Sequence, residues 1–149
     1  MTANKIPDDN YVLRYASSNR LQWDEENNVV GIAPGAFALR ERDDGVLSVT
    51  WIEFFCGEQN ALYEAVRAFR RSMDNPVGKN SAFGKARVDS IIQCGLLHTK
   101  RRKLRVLHEP EERNQGHAAV RRYAADDLEL MELLASSAFT EIILNKDVP

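Results

Sequence analysis

Arg14, Ser48 and His117 are three residues whose side chains suit an anionic ligand. Arginine offers phosphate or carboxylate a planar fork of donors, serine adds a hydroxyl donor, and histidine donates or accepts a proton near neutral pH. Each falls in a predicted strand, and adjacent strands would hold all three rigidly. They would suit a nucleotide-directed enzyme or sensor, with arginine holding phosphate, serine orienting it and histidine acting as acid or base. The alternative is a surface arginine, a serine bonded within its sheet and a histidine ending a loop.

A second chemical feature is a run of basic residues. It comprises Lys100, Arg101, Arg102, Lys103 and Arg105. Residues 103–108 alternate basic and apolar side chains, which predicts a strand, so the run is expected to project from a β-hairpin. Segregated positive charge can bind nucleic-acid phosphates through counterion release. We therefore predict a non-catalytic protein that binds a polyanion such as nucleic acid, or a protein partner, through this basic hairpin. The alternatives are a solvated turn and a structural subunit of an accessory or defence-type complex.

The histidines and cysteines do not follow a metal-binding pattern. They are His98, His108, His117, Cys56 and Cys94. No Cys-x-x-Cys pair occurs, and no two histidines are three to five residues apart. Ser48 also lacks the Gly-x-Ser-x-Gly motif of a hydrolase nucleophile. The sequence therefore predicts no metal and no cofactor, and it leaves open whether the protein is an enzyme.

Two helices can be predicted from the spacing of apolar residues. In residues 58–73, Leu62, Val66 and Phe69 recur at three- and four-residue intervals and form one apolar stripe. A second helix is expected to begin after Asp126 and Asp127, because aspartate is a favoured residue at a helix N-terminus.

The remaining apolar segments predict strands. They cover residues 11–16, 21–23, 29–33, 85–94, 103–108, 117–123 and 141–144. Residues 36–53 predict a central hairpin turning at Asp43, Asp44 and Gly45, because Asp-Gly between apolar runs favours a tight turn. Because strands come in groups, the predicted fold is α+β: a mostly antiparallel sheet of about five to seven strands with two helices packed on one face.

Length and composition favour one ordinary globular domain. The chain has 149 residues and a formal charge of −2, so any contact with nucleic acid must come from a local patch. We expect a single domain over residues 1–149, with residues 1–10 as a flexible leader. Two cysteines and the absence of an apolar signal or membrane segment favour the cytoplasm. The oligomeric state is left open.

Short segments resemble those of a loosely defined set of small bacterial proteins that have no assigned activity. The segments are Arg14-Tyr15, Ala36-Phe37, Leu47-Ser48-Val49 and His117-Ala118-Ala119-Val120. The resemblance implies that Arg14, Ser48 and His117 share a site.

Ser48 and Thr50, taken with Arg14, also resemble the Arg, Ser-x-Ser, Glu arrangement with which ADP-ribosyltransferases hold NAD. Two features depart from that pattern. Thr50 stands where a serine is expected, and Glu53 follows only three residues later, in what is predicted to be the same strand.

Overall fold

A six-stranded antiparallel sheet forms the centre of the computed structural model, which describes residues 4–39, 45–124 and 127–149. Its strands are β1 (Tyr11–Ala16), β4 (Leu47–Trp51), β5 (Ala82–Arg87), β6 (Arg105–His108), β7 (His117–Arg121) and β8 (Glu141–Leu144). Their spatial order is β6-β7-β4-β1-β5-β8. A separate pair consists of β2 (Leu21–Trp23) and β3 (Val29–Ile32). The predicted α+β class with a mostly antiparallel sheet is confirmed.

Three α-helices occur within the described residues, and two of them were predicted. They are α1 (Ala61–Ser72), α2 (Val88–Leu97) and α3 (Leu128–Leu133), which continues as a π-helical segment, Leu134–Ala138. The Asn60 side chain accepts a free backbone N–H of the first turn of α1, from Tyr63, at 3.1 Å. Asp127 does the same for Leu130 at 3.1 Å and so begins α3, whereas Asp126 lies outside the described residues.

The helices cover both faces of the sheet. Alternate residues of a strand point to opposite faces, so Val12 and Leu13 of β1 enter different cores. Val12 packs in the larger core cluster, which includes α2 and α3. Leu13 packs in the smaller cluster with Val66 of α1. The two predicted helices, α1 and α3, therefore lie on opposite faces, and α2 joins α3.

Residues 85–94 were predicted as one strand, and this prediction is wrong beyond Arg87. There β5 ends and α2 begins at the next residue. Val88, Ile91 and Cys94 are all buried at three-residue spacing, which is a helical pattern. The local pattern of apolar residues fits either a strand or a helix, and packing against the larger core cluster selects the helix.

The first half of the predicted central hairpin is also wrong. Ala36 and Phe37 lie in a 3-10 helix, Pro34–Phe37, and both are buried. Phe37 packs against Phe139 at a ring-centroid distance of 5.0 Å. The second half is correct, but β4 pairs with β1 and β7. The predicted turn residues Asp43 and Asp44 lie outside the described residues.

Residues 4–6 pair with the sheet, although they fall within residues 1–10, which were expected to form a flexible leader. Ile6 is fully buried and its N–H donates to the Val106 oxygen at 3.1 Å. His108 N–H donates to the Asn4 oxygen at 2.7 Å. Residues 4–6 therefore occupy the outer edge of β6. No helix in the described parts of the chain combines the length and apolar character needed to cross a membrane.

Arg70 of α1 ties the C-terminal segment to the helix. Its Nε donates to Asn145 Oδ1 at 2.9 Å, and its Nη2 donates to the Asn145 and Val148 oxygens at 2.7 and 2.8 Å. Asn145 is a buried polar residue, so the guanidinium satisfies acceptors that are shielded from water.

We expect Arg70→Ala to lower the free energy of unfolding by about 2 kcal/mol, because it leaves those acceptors unpaired. Urea denaturation measures the change. Arg71→Ala is the matched control, since Arg71 is exposed and should change stability by no more than about 0.5 kcal/mol. Equal losses in the two variants would contradict the role of Arg70.

Candidate functional site

The basic run lies on the connection between α2 and β6, not in a hairpin. Because α2 replaces the second half of the predicted strand, residues 98–104 lead from a helix into the sheet. Together with Arg105, the first residue of β6, they form what we call the basic loop, residues 98–105. The positive charges are therefore carried by a loop between a helix and a strand, and such a loop needs its own contacts to hold it in place.

Asp127 anchors the basic loop from the N-terminus of α3. Its Oδ2 accepts from Arg102 Nε at 2.8 Å, and its Oδ1 lies 2.8 Å from His98 Nε2. The Asp127 side chain is only 9% exposed and that of His98 only 4%. A carboxylate this buried needs its charge matched, and the arginine supplies the match.

The hydrogen bonds of His98 define its tautomer. The backbone N–H of Lys100 donates to His98 Nδ1 at 3.0 Å, so in the neutral ring Nδ1 is the acceptor. The ring proton is then on Nε2, where it donates to Asp127. Both ring nitrogens are therefore used to hold the loop, which assigns His98 a positioning role.

Two further contacts fix the backbone of the basic loop. The N–H and hydroxyl of Thr99 both donate to Glu129 Oε2 at 2.9 Å. The N–H of Arg102 donates to the Gly95 oxygen at 2.8 Å. Between these contacts Arg101 has a φ of 46°, in the left-handed region, which turns the chain sharply. The loop thus has a defined path.

The anchoring contacts also act on the acids. Burial by itself raises the pKa of Asp127, but hydrogen bonds from Leu130, Arg102 and His98 outweigh it and lower that pKa from its ordinary value. The hydrogen bonds from Thr99 lower the pKa of Glu129. Both carboxylates are therefore charged at neutral pH.

Four cations of the basic loop project into solvent. Lys100, Arg101, Lys103 and Arg105 are all exposed. Within the described residues none of these four has an ion-pair or hydrogen-bond partner for its charged group, whereas Arg102 is paired with Asp127. The five predicted residues thus divide into one internal anchor and four outward charges.

The structure does not bring the side chains of Arg14, Ser48 and His117 together. Arg14 shares a face of β1 with Val12, and its guanidinium donates to the backbone oxygens of Ala36 and Ser48 at 3.0 and 2.9 Å. In the register of β1, β4 and β7, the side chains of Ser48 and His117 belong to the opposite face. Arg14 therefore ties the 3-10 helix to the sheet.

His117 has an unusual environment. Its Nδ1 lies 2.8 Å from the Glu109 oxygen, to which it donates. Its Nε2 is buried and has no hydrogen-bond partner among the described residues, with Glu111 Oε2 at 3.8 Å. The ring can accept a proton there, but Arg14 lies on the other face of the sheet.

The Glu53 carboxylate has a structural partner and is not placed as a catalytic glutamate would be. It begins a 3-10 turn, Glu53–Phe55, and its Oε1 accepts the Tyr11 N–H at 2.8 Å. Its carboxylate thus satisfies the first backbone donor of β1.

The cysteines stand apart from each other. Cys56 is exposed, while Cys94 is buried, and burial raises the pKa of the Cys94 thiol to about 11. Among residues 4–39, 45–124 and 127–149, no group of three or more histidines, cysteines and acids is arranged to hold a metal ion.

No protein-family model, curated protein or solved structure matches this chain. Similarity therefore assigns no activity to any of its residues.

The residues that hold the basic loop in place could not be predicted from the sequence. Asp127 carries a local signal as a helix cap, but nothing in the sequence connects it with His98, which lies 29 residues earlier. Two clues are available: a histidine directly before the basic run, and acids at the start of the next helix. Both patterns are too common to identify the contact.

Gly95 lets the loop fold back against α2. A Cβ added there would overlap the Arg102 oxygen and lie 2.9 Å from Leu104 Cγ. We expect Gly95→Ala to lower the free energy of unfolding by about 1–2 kcal/mol, because overpacking outweighs the better helix propensity of alanine. Urea denaturation tests this. Gly57→Ala is the control, since no atom lies within 4 Å of an added Cβ, and a similar loss in both would contradict the role of Gly95.

Asp127 also predicts an acid dependence. Because its folded-state pKa is lowered, its contribution to stability is complete above the ordinary pKa of 3.8 and is lost as the pH falls through the lower folded value. We expect Asp127→Asn to flatten this part of the curve of unfolding free energy against pH, measured by urea denaturation. If the unfolding free energies of the wild type and the variant fell equally as the pH was lowered, Asp127 would not make this contribution.

Proposed function

We propose that this protein is a non-catalytic binder of nucleic acid and that the basic loop makes the contact. The observation that carries the proposal is the division of its cations. Lys100, Arg101, Lys103 and Arg105 are exposed and have no ion-pair partner among the described residues, while Arg102 is used internally. The outward charges are thus available to phosphates.

The anchoring of the loop favours this function energetically. A mobile loop would lose conformational entropy on binding, whereas the contacts of Arg102 and His98 with Asp127 already fix the backbone. Only the long side chains remain to be ordered. The loop therefore acts as a preformed support for four positive charges.

The expected binding is salt-dependent and largely independent of sequence. Four phosphate contacts give a slope of log K against log salt of about −3.6 for duplex DNA and about −2.8 for a single strand. Because the overall charge is −2, the attraction must come from a local patch of positive charge and not from the protein as a whole. A cytoplasmic location belongs to the same proposal, because the free cysteines suit a reducing compartment.

Fluorescence anisotropy with labelled single-stranded DNA, duplex DNA and RNA across a salt series tests the proposal. We expect the double variant Lys100→Ala, Arg101→Ala to bind more weakly and to reduce the slope for duplex DNA by about 1.8, because two phosphate contacts are lost.

The matched control is the double variant Lys5→Ala, Arg87→Ala. It removes the same net charge, but these cations are already paired with Asp8 and Asp89 at 3.5 and 3.2 Å. The control should retain the wild-type slope. Equal weakening in both variants, or no binding of any nucleic acid at low salt, would overturn the proposal and leave an acidic protein as the partner to consider.

A further inference from the structure

A separate polar groove lies between the β2–β3 pair and the end of β8. The space available to a bound molecule is about 640 Å³. Trp23 forms part of the wall of the groove, and its polar lining comprises Asn27, Asn28, Lys79, Asn80, Ser81 and Lys146. None of the described lining residues is acidic. We call it the Trp23 groove.

Trp23 presents an exposed ring in a fixed position. Trp23 is 42% exposed, which is high for a tryptophan. Its Nε1 donates to the Ser18 oxygen at 3.0 Å, and its backbone pairs with Val29. The indole is therefore held at one edge while part of its surface stays open to a planar partner.

Lys79 and Lys146 come from two segments that are bonded to each other. The Asn145 N–H donates to the Ser81 oxygen at 3.0 Å, and Asn145 Nδ2 donates to the Gly78 oxygen at 3.1 Å. Both lysines are exposed, and neither has an ion-pair partner among residues the structure describes. The fold thus holds two available positive charges at one groove.

The turn between β2 and β3 adds the side-chain amides of Asn27 and Asn28 to the groove. The N–H of Asn28 donates to Asp24 Oδ1 at 2.9 Å, and Asn27 has a φ of 63°. Asparagine tolerates this left-handed conformation better than most residues. Side-chain amides that both donate and accept are therefore offered beside an aromatic wall.

We propose that the Trp23 groove binds a nucleoside phosphate. The base would stack on Trp23, the phosphate would bind Lys79 and Lys146, and the asparagine amides would hydrogen-bond the base or ribose. The volume of about 640 Å³ falls within the range of small-molecule sites. The groove adjoins β8, at the sheet edge opposite β6 and the basic loop, so the two sites use different residues.

Isothermal titration calorimetry with purine and pyrimidine nucleoside monophosphates tests the inference. Inorganic phosphate and the free nucleosides form separate arms, because they supply only one half of the ligand each. We expect the nucleotides to bind more tightly than either half. Trp23→Ala should weaken their binding about tenfold through loss of stacking. The double variant Lys79→Ala, Lys146→Ala should weaken it at least about tenfold through loss of charged hydrogen bonds.

Two controls separate this site from the basic loop and from misfolding. Lys100→Ala, Arg101→Ala should bind nucleotides as the wild type does, even if it loses nucleic acid. Trp23→Phe should retain most of the affinity, because it keeps an aromatic face. The inference would be overturned if no nucleotide bound at millimolar concentration, or if inorganic phosphate bound as tightly as the nucleotides. It would also be overturned if Trp23→Ala or the double lysine variant bound nucleotides as tightly as the wild type, or if only the basic-loop variant lost nucleotide binding.

Discussion

The contacts of the buried Asp127 carboxylate connect two parts of the chain that are distant in sequence, the basic loop and the start of α3. The same group caps α3, pairs with Arg102 and orients His98. An ionised carboxylate that is 9% exposed is costly unless its charge and lone pairs are matched, and here each oxygen has a partner. The start of a helix and the path of the basic loop are therefore fixed together. This internal pairing, together with the contacts of Thr99 and of the Arg102 backbone, leaves the remaining cations in solvent.

Strand alternation decides which polar residues can act together. Arg14, Ser48 and His117 lie on strands joined through β4, but adjacency alone does not place side chains on one face. The register pairs Leu13 with Thr50 and Thr50 with His117, so the faces are set residue by residue. Arg14 points the other way and bonds to backbone oxygens. Its chemistry is used to join the 3-10 helix to the sheet.

The sequence predicts those features whose signals are local. The apolar stripe of α1 and the aspartate cap of α3 each fall within a few residues, and both helices are found. Most of the α2 segment was wrongly predicted as a strand, because its apolar residues fit a strand until packing against the larger core selects the helix. The positive run was visible, but its division into anchor and free charges depends on Asp127. The Trp23 groove needs three separate segments, which no local pattern connects.

The segment at residues 4–6 has a consequence for how partners can approach. Its bonds to Val106 and His108 use backbone groups that the outer edge of β6 would otherwise present. Unsatisfied strand edges recruit strands from other molecules and lead to uncontrolled association. That mode of contact is blocked beside the basic loop. A molecule that docks there would be recognised by side-chain charge and shape, without extension of the sheet.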